Sequence, residues 1–291
     1  MDHLTLKLLH LTHCRGLGRK TIREFIRADP QLQSVERYTM EELTGIFHLT
    51  KPHAEIFLRD FHSFNSANVV AYYEKQGIMP VSLHDRFYPP LLKKIYDPPY
   101  LLYTKGNIEY LKSEKILSVV GTRYPSAEAE KVMKQLLVPL IASGWVIVSG
   151  MALGVDGLAH KLAMDGRTVA VLGSGLLYPY PHDHLSLFHE LCNRQLVISE
   201  YSPYSRPERW RFPERNRIIS GLARGTLVVE AKEKSGSLIT ADQALEQGRE
   251  VFAVPGSILK SSSAGTNALI QQGAKLVMKA DDIVEELSGL N

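Results

Sequence analysis

Five arginines and two glutamates crowd the twelve residues Arg206 to Arg217, RPERWRFPERNR, a local charge of +3 with Trp210 and Phe212 set between them. Guanidinium groups pair with phosphate oxygens and aromatic rings stack on unpaired bases, so this composition suits a groove for single-stranded nucleic acid. It would equally serve a solvated loop with Trp210 turned into the core. Binding is favoured because Arg215, Asn216 and Arg217 are expected to open a helix, where cations oppose the helix dipole unless an anion is present.

Four further stretches are rich in Gly and Ser and follow apolar runs: Gly121-Thr122-Arg123, Ser149 to Gly154, Gly173-Ser174-Gly175 and Ser235-Gly236-Ser237. Small residues let backbone N–H groups approach an anion, and the helix that follows adds its positive end. Glu128 and Glu130, early in the helix after Arg123, act against an anion there. The dinucleotide fingerprint is not met, and no Walker lysine follows any of these turns. Catalytic groupings are poor: there is no Gly-x-Ser-x-Gly elbow and no His-x-x-x-His pair for zinc. His182-Asp183-His184 lacks a third metal ligand, and His160 reads as a core or interface histidine. Glu230 closes an apolar run, where it could bind ribose, act as a base or orient Arg217, the last being favoured.

Elements able to position these residues are legible from periodicity. Ile116 to Val120 reads as a strand and Val132 to Ile141 as a helix. Trp145 to Val148 reads as a second strand, completing a βαβ unit whose strand ends place Gly121–Arg123 and Ser149–Gly154 on one crevice. Further apolar runs at 168–172, 196–198, 226–229, 251–254 and 276–277 lack polar alternation, as parallel strands covered on both faces do. Helices are expected over 154–165, 184–193, 215–223, 238–247, 266–272 and 281–287. Asp2 to about Ala71 reads as helical. Within it, Cys14 to Thr21, with Gly16 and Gly18, resembles a helix-hairpin-helix element or is a plain glycine connector. The Pro-rich stretch 77–107 reads as a linker or extension. The expected domains are therefore 1–76, helical, and 77–291, an extended Rossmann-like, mostly parallel α/β sheet.

At 291 residues, 44% hydrophobic and 22% charged, the composition is that of a folded globular protein, and the net charge of +3 permits an anionic partner without demanding one. Cys14 and Cys192 form no Cys-x-x-Cys motif, which fits a reduced cytoplasm. The polar N-terminus, with Asp2, His3 and Lys7, carries no secretory signal. Leu136 to Val155 is uncharged over transmembrane length, but Pro139, Gly144, Gly150 and Gly154 divide it into helix end, turn and strand.

Taken in order, Val119 to Arg123, Ser149 to Asp156, Phe212 to Gly221, Ser235 to Leu238 and Val254-Pro255-Gly256 resemble the DNA-processing protein A family, also called DprA or Smf. The resemblance runs from about Gly77 to Leu287. It implies a Rossmann-like domain that binds single-stranded DNA and helps load the RecA recombinase during natural transformation, as a cytoplasmic homodimer. No reaction, cofactor or metal is implied. The DNA pocket carries over to Gly121, Thr122, Arg123, Ser149, Gly150, Phe212, Arg215, Asn216 and Arg217, with Ser235, Gly236 and Ser237 on the same edge. The chain departs from the family pattern at 178–185, where it has a second Tyr-Pro pair and His184 in place of the usual Asn. The winged-helix domain that many members add after the position of Leu287 is not expected. The rival reading is a nucleotide-processing enzyme akin to phosphoribohydrolases, whose Pro-Gly-Gly-x-Gly-Thr turn is not matched at Gly225-Thr226.

Overall fold

The computed structural model describes residues 1–289. Packing divides the chain into two units, Met1–Ser82 and a second that begins at Leu83. The first contains α1 (His3–His13), α2 (Arg19–Ala28), α3 (Met40–Gly45), α4 (Lys51–Ser63), α5 (Ser66–Lys75) and a terminal strand, β1 (Met79–Ser82). Its core is aromatic, with Phe25 edge-on to Phe47 at 4.6 Å and tilted against Phe57 at 5.9 Å. The turn between α1 and α2 is bound tightly to α4. Arg15 gives Asp60 both its backbone N–H, at 3.0 Å, and its guanidinium, at 2.8 Å. Those contacts hold the Asp60 carboxyl down at about 2. The hairpin's first cation and one of its amides are thus engaged by a carboxylate of the same unit.

The second unit contains α6 (Pro90–Lys93), β2 (Leu101–Gly106), β3 (Ile116–Val120), α7 (Ala127–Ala142), β4 (Val146–Ser149), α8 (Val155–Leu162) and β5 (Arg167–Leu172). After these come α9 (Leu185–Arg194), β6 (Leu196–Ser199), α10 (Arg211–Leu222), β7 (Gly225–Val228), α11 (Gly236–Glu246), β8 (Glu250–Ala253), α12 (Ala264–Gln271), β9 (Lys275–Leu276) and α13 (Ala280–Ser288). Its strands lie in the order β2-β6-β5-β4-β3-β7-β8-β9. All neighbours are parallel except β2, which pairs antiparallel with β6. The strands β3 to β7 are buried along almost their whole length, as apolar runs without alternation require. Leu117, Val119, Ile147, Leu227 and Phe252 meet the apolar face of α7, with Met133, Leu136, Leu137 and Leu140, in one core.

Two expectations need correcting. Residues 77–107 are more than a linker, because Leu101–Gly106 forms strand β2, antiparallel to β6. The helix expected to open at Arg215 begins at Arg211, so Arg215 and Arg217 lie in its second turn and cannot feel its dipole as first-turn cations do. Among the described residues no helix is long and apolar enough to cross a membrane.

From β3 the chain winds through β4 and β5 to β6 on one side, then returns through α10 to β7 on the other side of β3. That reversal makes the carboxyl end of β3 a topological switch point, where loops leave in opposite directions and a crevice must open.

Candidate functional site

The crevice is there, a cavity of about 670 Å³ lined by the ends of β3 and its turn (Val120, Gly121, Arg123), by α10 and by the start of α11. From α10 and the residue before its N-cap come Arg209, Phe212, Pro213, Arg215, Asn216 and Ile219, spaced as one helical face. From the α11 N-terminus come Ser235, Gly236 and Ser237. The Ser235 hydroxyl accepts from the Ser237 N–H, and no atom stands within 4 Å of a Cβ placed on Gly236. Gly236 is therefore open to solvent at the start of α11, whereas the Leu238 N–H is taken by the Ser235 carbonyl at 3.1 Å and Ser237 is buried.

The floor of the cavity holds two buried, oppositely charged side chains, Arg215 and Asp156. Arg215, 5% exposed, donates from Nη1 to the carbonyls of Gly150, at 2.6 Å, and Val171. Asp156, also buried, accepts from the N–H groups of Gly150 and Ala152. Burial pushes the Asp156 carboxyl up and the Arg215 guanidinium down, and each charge opposes the shift of the other. Arg215 thus ties the ends of β4 and β5 together from below. Gly150 is required for this, because a Cβ there would come within 2.3 Å of the guanidinium.

The β3 turn is seated by equally tight contacts. Thr122 donates its N–H to the Glu230 carbonyl at 2.7 Å and accepts from the Val155 N–H at 3.1 Å. Gly154 has φ +80, and a Cβ there would lie 2.4 Å from the Thr122 carbonyl oxygen, so only glycine lets α8 start against this turn. Met151 holds a left-handed φ of 58, with its carbonyl accepting from His184 Nδ1 at 3.0 Å. The unusual His184 therefore braces the turn after β4. The Arg123 side chain is exposed and reaches the cavity, and it also lines a smaller pocket with Gly150, Tyr180 and Phe212.

Phe212 and Tyr180 face each other at 5.5 Å between ring centroids. Phe212 fits because residue 173 is glycine, where a Cβ would meet the ring at 2.7 Å. Together they give the cleft an aromatic wall, and Arg123 and Arg209 give it cations.

Several expected residues stand elsewhere. Arg217 donates to Glu200 at 2.6 Å and approaches Asp97 at 3.6 Å, away from the cavity lining. Ser149 is fully buried and donates to the Val119 carbonyl. The Thr122 side chain accepts from the Tyr124 N–H. Glu230 does not orient Arg217. Its carboxylate accepts from the Ser126 N–H at 2.9 Å and from the Ser262 hydroxyl at 3.1 Å, which fixes the entrance to α7. His160 donates from Nδ1 to Thr168 Oγ1, whose own proton goes to the Ile147 carbonyl, so Nδ1 carries the proton. Its burial, beside His184 and Arg215, lowers its pKa to about 3. Among the described residues no group of three or more His, Cys, Asp or Glu side chains could hold a metal.

Sequence reasoning missed Tyr180 and Arg209. The second Tyr-Pro pair was the signal for Tyr180. For Arg209, the signal was the spacing of Arg209, Phe212, Pro213 and Asn216, which marks one face of a helix already forming at Arg211.

Fold and cleft together define a Rossmann-like α/β protein with a cationic, aromatic cleft, a candidate ligand site, at the switch point of a mostly parallel sheet. The family described as DNA recombination-mediator protein A matches residues 80–288. The DNA processing protein DprA of Bacillus subtilis is 47% identical over 225 residues, 77% of this chain and 76% of the relative. That of Streptococcus pneumoniae is 43% identical over 233 residues, 79% and 81% of the two chains. The X-ray structure of the Streptococcus pneumoniae protein aligns with a TM-score of 0.85 at 37% identity, over 98% of this chain and 99% of that one. A structure of DNA processing protein A from Helicobacter pylori, described as giving insight into its single-stranded DNA binding mode, aligns with a TM-score of 0.66 at 28% identity, over 72% and 96% of the chains. This chain belongs to the DNA recombination-mediator protein A family, as its ordered motifs implied.

Proposed function

We propose that this protein binds single-stranded DNA in the switch-point cleft and presents it to the RecA recombinase during recombination and natural transformation, as a cytoplasmic homodimer without enzymatic activity. The observation that carries the reading is the pairing of free cations with an aromatic wall in one cavity. Arg123 and Arg209 meet phosphates, the exposed Gly236 end of α11 lies against the strand, and unpaired bases stack on Phe212 and Tyr180. A duplex hides its base faces and cannot use that wall, so the cleft selects unpaired strands. Gly121, Gly150, Asn216, Ser235 and Ser237 shape the cavity, and Arg215 supports its floor. Arg217 and Ser149 serve the scaffold.

Arg123→Ala leaves the fold intact, weakens binding of a labelled oligonucleotide and reduces the slope of log K against log salt by about 0.7. Wild-type affinity and slope in this variant would remove Arg123 from the site. A gel-shift titration of single against double strands across salt concentrations tests the selectivity, and equal affinity for both would refute it. RecA filament assembly on single strands, timed with and without the protein, tests the loading step. Sedimentation equilibrium tests the dimer.

A further inference from the structure

Of the arginines in 206–217, Arg211 plays a part that the cleft does not explain. Its guanidinium lies 5.0 Å from the ring centroid of Trp210 and 4.9 Å from that of Tyr201, while Nη1 donates to the Arg206 carbonyl at 2.5 Å. Tyr201 is fixed in turn by its hydroxyl, which bonds Glu214 at 3.1 Å, and it meets Trp210 edge-on at 6.2 Å and 89°. Trp210 is thus flanked by Arg211 and Tyr201, yet it is 55% exposed, whereas Trp145 is buried at 5%. An open indole with neighbours on one side presents a large amphipathic surface, the property that makes tryptophan a binding anchor. It stands next in sequence to Arg209, which lines the cleft, and at the N-terminus of the helix that supplies the cleft's aromatic wall.

We infer that Trp210 is a second base-stacking subsite outside the cleft: a single DNA strand leaving the cavity past the Arg209 guanidinium lays an unpaired base on the indole. Arg211 flanks the ring and adds positive potential beside it. The inference rests on the cleft reading above and extends it. Strands long enough to leave the cleft gain a contact that short ones lack, and the site thereby measures the length of exposed single strand.

The test uses the full chain and two probes, oligo-dT of about four and of about sixteen nucleotides. In a Trp145→Phe background, whose emission comes from Trp210, the longer probe quenches fluorescence and the shorter one binds without quenching. Trp210→Ala, confirmed as folded by circular dichroism, lowers affinity for the longer probe about tenfold and leaves the shorter probe's affinity unchanged, while Trp210→Phe keeps most of the longer probe's affinity. Undiminished long-probe affinity in Trp210→Ala, or the absence of quenching, overturns the subsite and leaves the cleft standing. If neither probe binds the wild-type protein, the cleft reading fails and the subsite with it. An indole that shifts emission with a protein partner but not with oligo-dT also overturns the inference.

Discussion

Arg215 passes beneath the end of β4 only because residue 150 is glycine. Its guanidinium is buried and hydrogen-bonded to two carbonyls, so it cannot withdraw from a methyl group placed within 2.3 Å. Gly150→Ala should therefore destabilise the protein by about 2–3 kcal/mol, read from the urea midpoint. A variant indistinguishable from the parent would mean that the floor yields more easily than its contacts indicate. His160 predicts a pH effect. Its folded pKa of about 3 lies below the ordinary value of about 6.5. Below pH 6.5 the unfolded chain takes up a proton that the native protein refuses. Stability therefore falls with acidification down to about pH 3, by up to about 1.4 kcal/mol per pH unit. His160→Gln should flatten this dependence, and parallel stability curves for parent and variant would exclude it.

On α10, residues two apart lie about 200° apart around the axis, so Arg215 and Arg217 cannot serve the same surface. Arg215 goes under the cleft, and Arg217 binds Glu200 at the end of β6 and approaches Asp97 in the segment before β2. Removing a buried partner leaves carboxylates under strain, so Arg217→Ala should lower stability by about 3 kcal/mol. In the fraction that remains folded, the salt dependence of DNA binding should be unchanged, the reverse of the Arg123→Ala result; a flattened salt slope would return Arg217 to the ligand. The strands of the parallel sheet were legible to within a residue because buried apolar runs between Gly and Ser turns have few other readings, whereas helix ends moved further, α7 opening at Ala127 and α8 closing at Leu162. The arginine cluster was not. Its charge was plain, but helix phase depends on where α10 starts, and Trp210, its N-cap, carries no capping side chain to announce the boundary. Strand β2 was hidden for a related reason, since prolines at 98 and 99 signal a break and it is pairing within the sheet, antiparallel with β6, that makes Leu101–Gly106 a strand.

For the whole molecule, the composition hinted little: a net charge of +3 over 291 residues says nothing about a cleft. The site exists through topology, because its walls are brought together only where the sheet reverses direction. An oligonucleotide present at about a hundred times its dissociation constant should therefore stabilise the fold by about 2.7 kcal/mol, seen as a rise in melting temperature. No shift at saturation would contradict a site that only the native protein contains. The reversal at β3 also has a temporal side. Ser118 on β3 shares a 2.7 Å hydroxyl contact with Thr226 on β7, 108 residues further along the chain. A ribosome-bound chain that has emerged only as far as β6 already displays the Arg123 turn, but it has neither α10 nor β7 to close the opposite wall. The opposite wall of the cleft thus forms only after Arg211–Leu222 and Gly225–Val228 have been made, so a chain that ends before them lacks the cavity altogether.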